Sequence, residues 1–202
     1  MSRLAPIILA AAILCGCTSG PGWQRQTFAF TSPADPPTTK AQSNIVVLSR
    51  GSISPLFQNR SFTYRTGEHA YEQDPYAGFL VPPERALAEP IRASMCAGGA
   101  FGRVLGPGSG LTPTLVVEAS VDELYGDFRQ ASKPVATMQI HFIVYEVKDG
   151  IPGHIVLDKV CTRETPLAGK TPAALMGAWD ADLHEIMKEI NSEYAKTNFA
   201  AQ

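Results

Sequence analysis

The chain of 202 residues carries 17 Lys and Arg against 19 Asp and Glu, a formal net charge of −2, and is 45% hydrophobic. That apolar content excludes wholesale disorder, and the missing basic excess argues against a nucleic-acid binder, which needs cations to displace phosphate counterions. Charged residues make up only 18%, while 17 Gly and 16 Pro mark many turns, pointing to a β-containing fold and away from a helical bundle.

The N-terminus reads Met1-Ser2-Arg3, then an apolar run over residues 4–14, then Cys15-Gly16-Cys17. One cation followed by a short apolar run is the layout of a signal peptide. As a helix the run reaches about 16 Å, roughly half a bilayer core, and is too short to span. Leu14-Cys15-Gly16-Cys17 resembles a bacterial lipobox, with Leu at −3, small residues at −2 and −1, and the acceptor Cys at +1. The expectation is a signal peptide over 1–16, lipid attachment at Cys17, and one periplasmic domain over 17–202. Several acyl chains, each contributing about 0.8 kcal/mol per buried CH₂, would make this membrane anchor effectively permanent. Thr18 in place of Asp suggests sorting to the outer membrane, facing the periplasm, by resemblance to the general lipoprotein sorting rule.

An aromatic strand is predicted over 23–30, followed by a Pro/Thr-rich loop over 31–43. Strands follow at 44–48 and 61–65, the latter with Phe62 and Tyr64 on one face. Residues 71–83 read as turn-rich. Leu87, Ile91 and Met95 recur every four residues and mark a helix from Pro83 to Gly98-Gly99. Pro90 should kink that helix or mark its true start. The glycine-rich segment 98–113 reads as a loop, since it lacks the Lys-Ser/Thr of a phosphate loop.

From Thr114 the alternation is clear. Leu115, Val117, Ala119 and Val121 face one way, and Glu118, Ser120 and Asp122 the other. Ala136, Met138, Ile140, Phe142 and Val144 repeat the pattern, Asp149-Gly150 is a turn, and 155–162 is a third strand of an antiparallel meander. Thr171-Pro172 opens a last helix with the apolar stripe Leu175, Trp179, Leu183, Ile186, Met187, Ile190 and Tyr194. Asp180, Asp182, Glu185, Lys188 and Glu189 fall on its wet side. The expected class is α+β, a two-layer sandwich of a mostly antiparallel sheet with two helices packed on one face.

Little catalytic chemistry is visible. His69, His141, His154 and His184 form no metal-binding spacing, so no metal or cofactor is expected. Gly106-Pro107-Gly108-Ser109-Gly110 approaches a nucleophile elbow but is shifted, with no strand expected before Ser109. Cys96 and Cys161 are either two buried thiols or a disulfide pair, which in an oxidising compartment would stabilise the fold by roughly 4 kcal/mol.

The order of segments carries a family resemblance. Gln26 to Phe30 ends in Thr31-Ser32-Pro33; Ile45-Val46-Val47-Leu48 precedes Pro55-Leu56-Phe57; Phe62-Thr63-Tyr64-Arg65 follows; and Tyr76-Ala77-Gly78-Phe79-Leu80-Val81-Pro82-Pro83 enters the first helix. Together with the strand from Leu115 to Tyr125 and the helix from Ala173 to Ile190, this resembles the ABC-type transport auxiliary lipoproteins, the family of paraquat-inducible protein C. The resemblance implies a non-enzymatic role in which the protein docks the MCE-domain protein of an ABC lipid transporter. Pro55, Leu56, Phe57, Tyr76, Phe79 and Leu80 are the candidate contact group, because aromatic-rich loops make good anchors; the alternative is that they pack over the sheet edge. An outer-membrane assembly lipoprotein serving a β-barrel or lipopolysaccharide export protein is the competing expectation. A lipid-anchored hydrolase using Ser109 is a third, and homo-oligomerisation stays open.

Overall fold

The computed structural model describes residues 25–32, 44–49 and 51–197; Cys17, Trp23 and most of the expected loop over 31–43 lie outside the described residues. In chain order the elements are β1 (Gln26–Phe28), β2 (Ile45–Leu48), β3 (Ser52–Ile53), β4 (Ser61–Arg65), β5 (Tyr71–Phe79), α1 (Pro83–Gly98), β6 (Arg103–Leu105), β7 (Leu115–Asp127), β8 (Val135–Lys148), β9 (Ile151–Pro166) and α2 (Pro172–Lys196). The strands form one sheet, and the helices cover one of its faces, α2 on β8 and β9, α1 on β3, β6 and α2. This is the expected two-layer α+β architecture.

The strand β7 is the spine. One edge pairs antiparallel with β8 along its whole length, and β8 pairs antiparallel with β9. The other edge is lined end to end by three short parallel strands: β2 (Val46 opposite Leu115), β3 (Ser52 opposite Ser120) and β4 (Tyr64 opposite Gly126). Beyond them β6 lies parallel to β2, β5 antiparallel to β4, and β1 parallel to β5.

The period-2 pattern sets the layers. Leu115, Val117, Ala119 and Val121 are buried, as are Val144, Phe142 and Ile140 opposite the last three, and Met138 further along β8. Between Val121 and Glu123 the register slips by one residue, so Leu124 and Gly126 continue the helix-facing row and Tyr125 turns to the opposite face. Gly126 confirms the direction, since a Cβ there would stand 3.1 Å from the Leu175 side chain of α2. Asp149 and Gly150 both take positive φ, 53° and 77°, and close the β8–β9 hairpin in two residues.

Thr171 caps α2, its hydroxyl accepting from the Ala174 amide at 3.2 Å, with Pro172 in the first turn. The whole predicted stripe from Leu175 to Tyr194 is buried. Helix α1 starts at Pro83 and ends at Gly99 in the left-handed region (φ 67°), so buried Pro90 sits inside it and does not mark its start.

Three expectations about elements change. The turn-rich stretch 71–83 contains β5, and the glycine-rich loop contains β6. A strand therefore does precede Ser109, but the chain continues into β7 and not into a helix, so no nucleophile elbow forms. Asp182, expected on the wet side, is 2% exposed beneath α2.

Candidate interaction surface

The six residues singled out in the loops and β5 separate into two populations. Phe57 and Phe79 are buried, at 4% and 2% exposure, which corrects their placement in an exposed group. Pro55, Leu56, Tyr76 and Leu80 are exposed, Leu56 by 61%, Leu80 by 56% and Tyr76 by 49%. The physical reason lies in where each ring can find apolar neighbours.

Phe79 enters the core beside Phe62 (ring centroids 4.8 Å apart), Trp179 (5.7 Å) and Phe30 (5.8 Å). Trp179 is held in turn by its indole N–H, which donates to the Thr137 carbonyl at 3.2 Å. Phe57 instead folds the β3–β4 loop over the sheet face that the helices leave open. There it stacks on Tyr125 at 5.6 Å and meets Tyr71 edge-on at 6.2 Å. The Arg65 guanidinium lies 5.7 Å from the Tyr71 ring and 6.0 Å from that of Tyr125. The two buried rings thus fasten the loops whose neighbouring side chains point outward.

The outward turn at Tyr76 is built by Asp74. One carboxylate oxygen accepts from the amides of Tyr76 (2.8 Å) and Ala77 (2.9 Å), and the other accepts from the Tyr64 hydroxyl at 2.6 Å. Burial, reinforced by this carboxylate, pushes the Tyr64 hydroxyl well above the ordinary tyrosine range. The chain returns to the ladder at Gly78, where a Cβ would stand 2.2 Å from the Arg60 carbonyl oxygen, so only glycine fits. Val81, 40% exposed, continues the apolar rim next to Leu80.

Cys96 and Cys161 are free and are not brought together, which corrects the disulfide expectation. Cys96 stands against β6, its thiol 3.7 Å from the Val104 carbonyl, while Cys161 lies on β9. Strands β8, β7 and β2 separate β9 from β6. At about 4.8 Å per strand step the separation is roughly 19 Å, far beyond the reach of a disulfide. Burial pushes the Cys161 thiol up to about 11, with the Glu189 carboxylate adding to the effect.

On the open face His141 Nε2 lies 2.7 Å from Asp158 Oδ1. Ser120, directly opposite His141 across the ladder, donates its hydroxyl to Asp122 at 3.2 Å. Ser109 accepts from the Leu111 amide within its own loop. Among the described residues no group of three or more His, Cys, Asp or Glu side chains is placed to hold a metal ion, and no helix is long and apolar enough to cross a membrane.

No family model matches the sequence, and no curated protein matches it. Solved structures do. A Xanthomonas campestris protein described as a DUF330 family member superposes with a TM-score of 0.73 at 18% identity, covering 86% of this chain and 97% of its own. An uncharacterised protein superposes at 0.65 with 8% identity, covering 84% of this chain and 98% of its own. A Caulobacter crescentus structure described as a lipoprotein aligns at 0.39 with 17% identity over 55% of this chain and 82% of its own, too distant to carry an argument. The first two show that this two-layer α+β fold recurs over nearly the whole length of other proteins.

Proposed function

We propose that the protein is a lipid-anchored accessory component of an MCE-type ABC transport system, held to the outer membrane on its periplasmic side by acyl chains on Cys17. In this reading it supports lipid transport between the membranes by docking the MCE-domain protein, and it is not an enzyme. The lipobox-like Leu14-Cys15-Gly16-Cys17 and the segment order support the anchor and the family. The single observation that carries docking is the exposed apolar set Leu56, Tyr76 and Leu80, one from strand β5 and two from loops, each beside or near a buried ring, Phe57 or Phe79. Side chains held out from a fastened backbone lose little entropy on binding and suit an anchor role.

The test is affinity capture after crosslinking in cells. The triple variant Leu56→Asp, Tyr76→Asp and Leu80→Asp should lose at least tenfold of the captured MCE-domain protein while keeping its melting temperature within about 2 °C, because all three side chains are exposed. Undiminished capture by a folded triple variant overturns the docking surface. Capture of a β-barrel assembly or lipopolysaccharide export protein in place of an MCE-domain protein overturns the transport reading.

A further inference from the structure

A recess bordered by described residues lies away from the apolar side chains described above. It runs between α1, the β2–β3 junction and the β6–β7 loop, with a volume of about 700 Å³. Pockets that hold small organic ligands span about 300–1,000 Å³ and combine apolar walls with a few placed polar groups. This groove has that composition. Leu48, Ala88 and Pro107 form its walls, and at its base a slot of about 20 Å³ reaches Leu87, Ile91 and Val121 of the core.

The groove exists because the edge of β7 is covered piecewise. β2 ends at Leu48 and β3 begins at Ser52, so Ser49 and Gly51 turn there while α1 passes above.

The rim has a definite charge pattern. Arg92 and Glu89 neutralise each other through a two-point contact, with Arg92 Nε 2.9 Å from Glu89 Oε2. Glu84 and Arg85 also line the groove, and neither has an ion-pair partner among the described residues. Among the described residues the rim therefore offers one anion and one cation without an ion-pair partner, next to an apolar trough. A ligand that matches all three carries an anionic group, an ammonium group and an apolar tail.

We propose that this groove binds a zwitterionic phospholipid of the phosphatidylethanolamine type. Arg85 meets the phosphate, Glu84 meets the ammonium group, and acyl carbons lie along Leu48 and Ala88. Charge-assisted hydrogen bonds orient the headgroup, and apolar burial supplies most of the affinity. The inference deepens the transport reading and takes its lipid class from it. Docking of a protein partner at Leu56, Tyr76 and Leu80 does not depend on it.

The test is calorimetric titration of the full chain, kept in solution with amphipol, using dihexanoylphosphatidylethanolamine. Saturable binding is expected. Gly106→Phe should weaken it at least tenfold, because Gly106 lines the groove and a Cβ there meets nothing within 4 Å, so the added ring is tolerated by the fold. Ala88→Trp should do the same from the helix side. Glu84→Gln should weaken phosphatidylethanolamine binding about fivefold while dihexanoylphosphatidylglycerol, which lacks the ammonium group, binds unchanged or tighter. Absence of saturable heat, binding unaffected by Gly106→Phe, or equal binding of an uncharged alkyl glucoside each overturns the proposal. If capture of the MCE-domain protein persists alongside such a result, the failure belongs to the lipid site alone.

Discussion

Asp182 shows how one residue can contradict its place on a helical wheel. It falls among polar neighbours on α2, yet its carboxylate lies beneath the helix, with one oxygen accepting from the Thr165 hydroxyl and the other without a hydrogen-bond partner among the described residues. Burial holds its pKa above the ordinary value of 3.8, outweighing the Thr165 hydrogen bond and the nearby Arg163 charge. At pH between the unfolded and native values the folded protein therefore binds a proton that the unfolded chain releases. Stability from this group is full below the unfolded value and falls as pH rises through the native one. Asp182→Asn should remove that slope, with urea denaturation showing a gain of about 1 kcal/mol near pH 7 and none near pH 3.5. The sequence could not show this. The wheel places Asp182 beside the stripe, and only the proximity of β9 turns that border position inward. Phe57 and Phe79 illustrate the same limit, for an aromatic in a loop reads as exposed until the surface it folds onto is known.

At the scale of elements, α2 and β9 are joined by more than their apolar faces. Glu189 accepts from Lys159 at 3.0 Å and from Arg163 at 2.6 Å, two cations that project from β9 toward the helix. Both hold the Glu189 carboxyl below its ordinary value of 4.5, Arg163 more strongly. Here the sign is reversed: the contribution is present above the unfolded value and is lost as pH falls through the native one. All three side chains are partly exposed, so solvent screens much of the effect. Glu189→Gln should lower Tm by about 2 °C at low ionic strength and near neutral pH, and by less than half of that in roughly 0.5 M salt.

Legibility in the sequence divides along similar lines. β7, β8 and α2 were readable because each repeats its period over three or more turns of the pattern. β3 has two residues and β6 three, too short for any period to register. β5 was hidden by its own irregularity, since Asp74-Pro75 breaks the alternation and six of its nine residues lack a buried face. Exposure in the candidate group was half legible: Leu56, Tyr76 and Leu80 are exposed as expected, whereas Phe57 and Phe79 are not, and the α1 groove depends on the break between β2 and β3, which no local pattern announces.

For the molecule as a whole, the edge of β7 shared by β2, β3 and β4 ties the early part of the chain to strands made much later. The Ile45 amide, for instance, donates to the Thr114 hydroxyl 69 positions further on. The strands β7, β8 and β9, by contrast, are joined by short connections and close with α2 through nearby contacts. Closing long loops before their contacts form slows assembly, so the order of events in time is dictated by this layout. The carboxy-terminal meander should act as the template, and the amino-terminal strands should join it last. In pulse-labelled hydrogen exchange during refolding, amides of β7, β8 and α2 should gain protection before those of β2 and β4, and the reverse order would contradict the scheme. An amino-terminal half released alone can pair β4 with β5 but lacks the β7 edge that β2, β3 and β4 share, so that edge stays unmade until the second half has been synthesised.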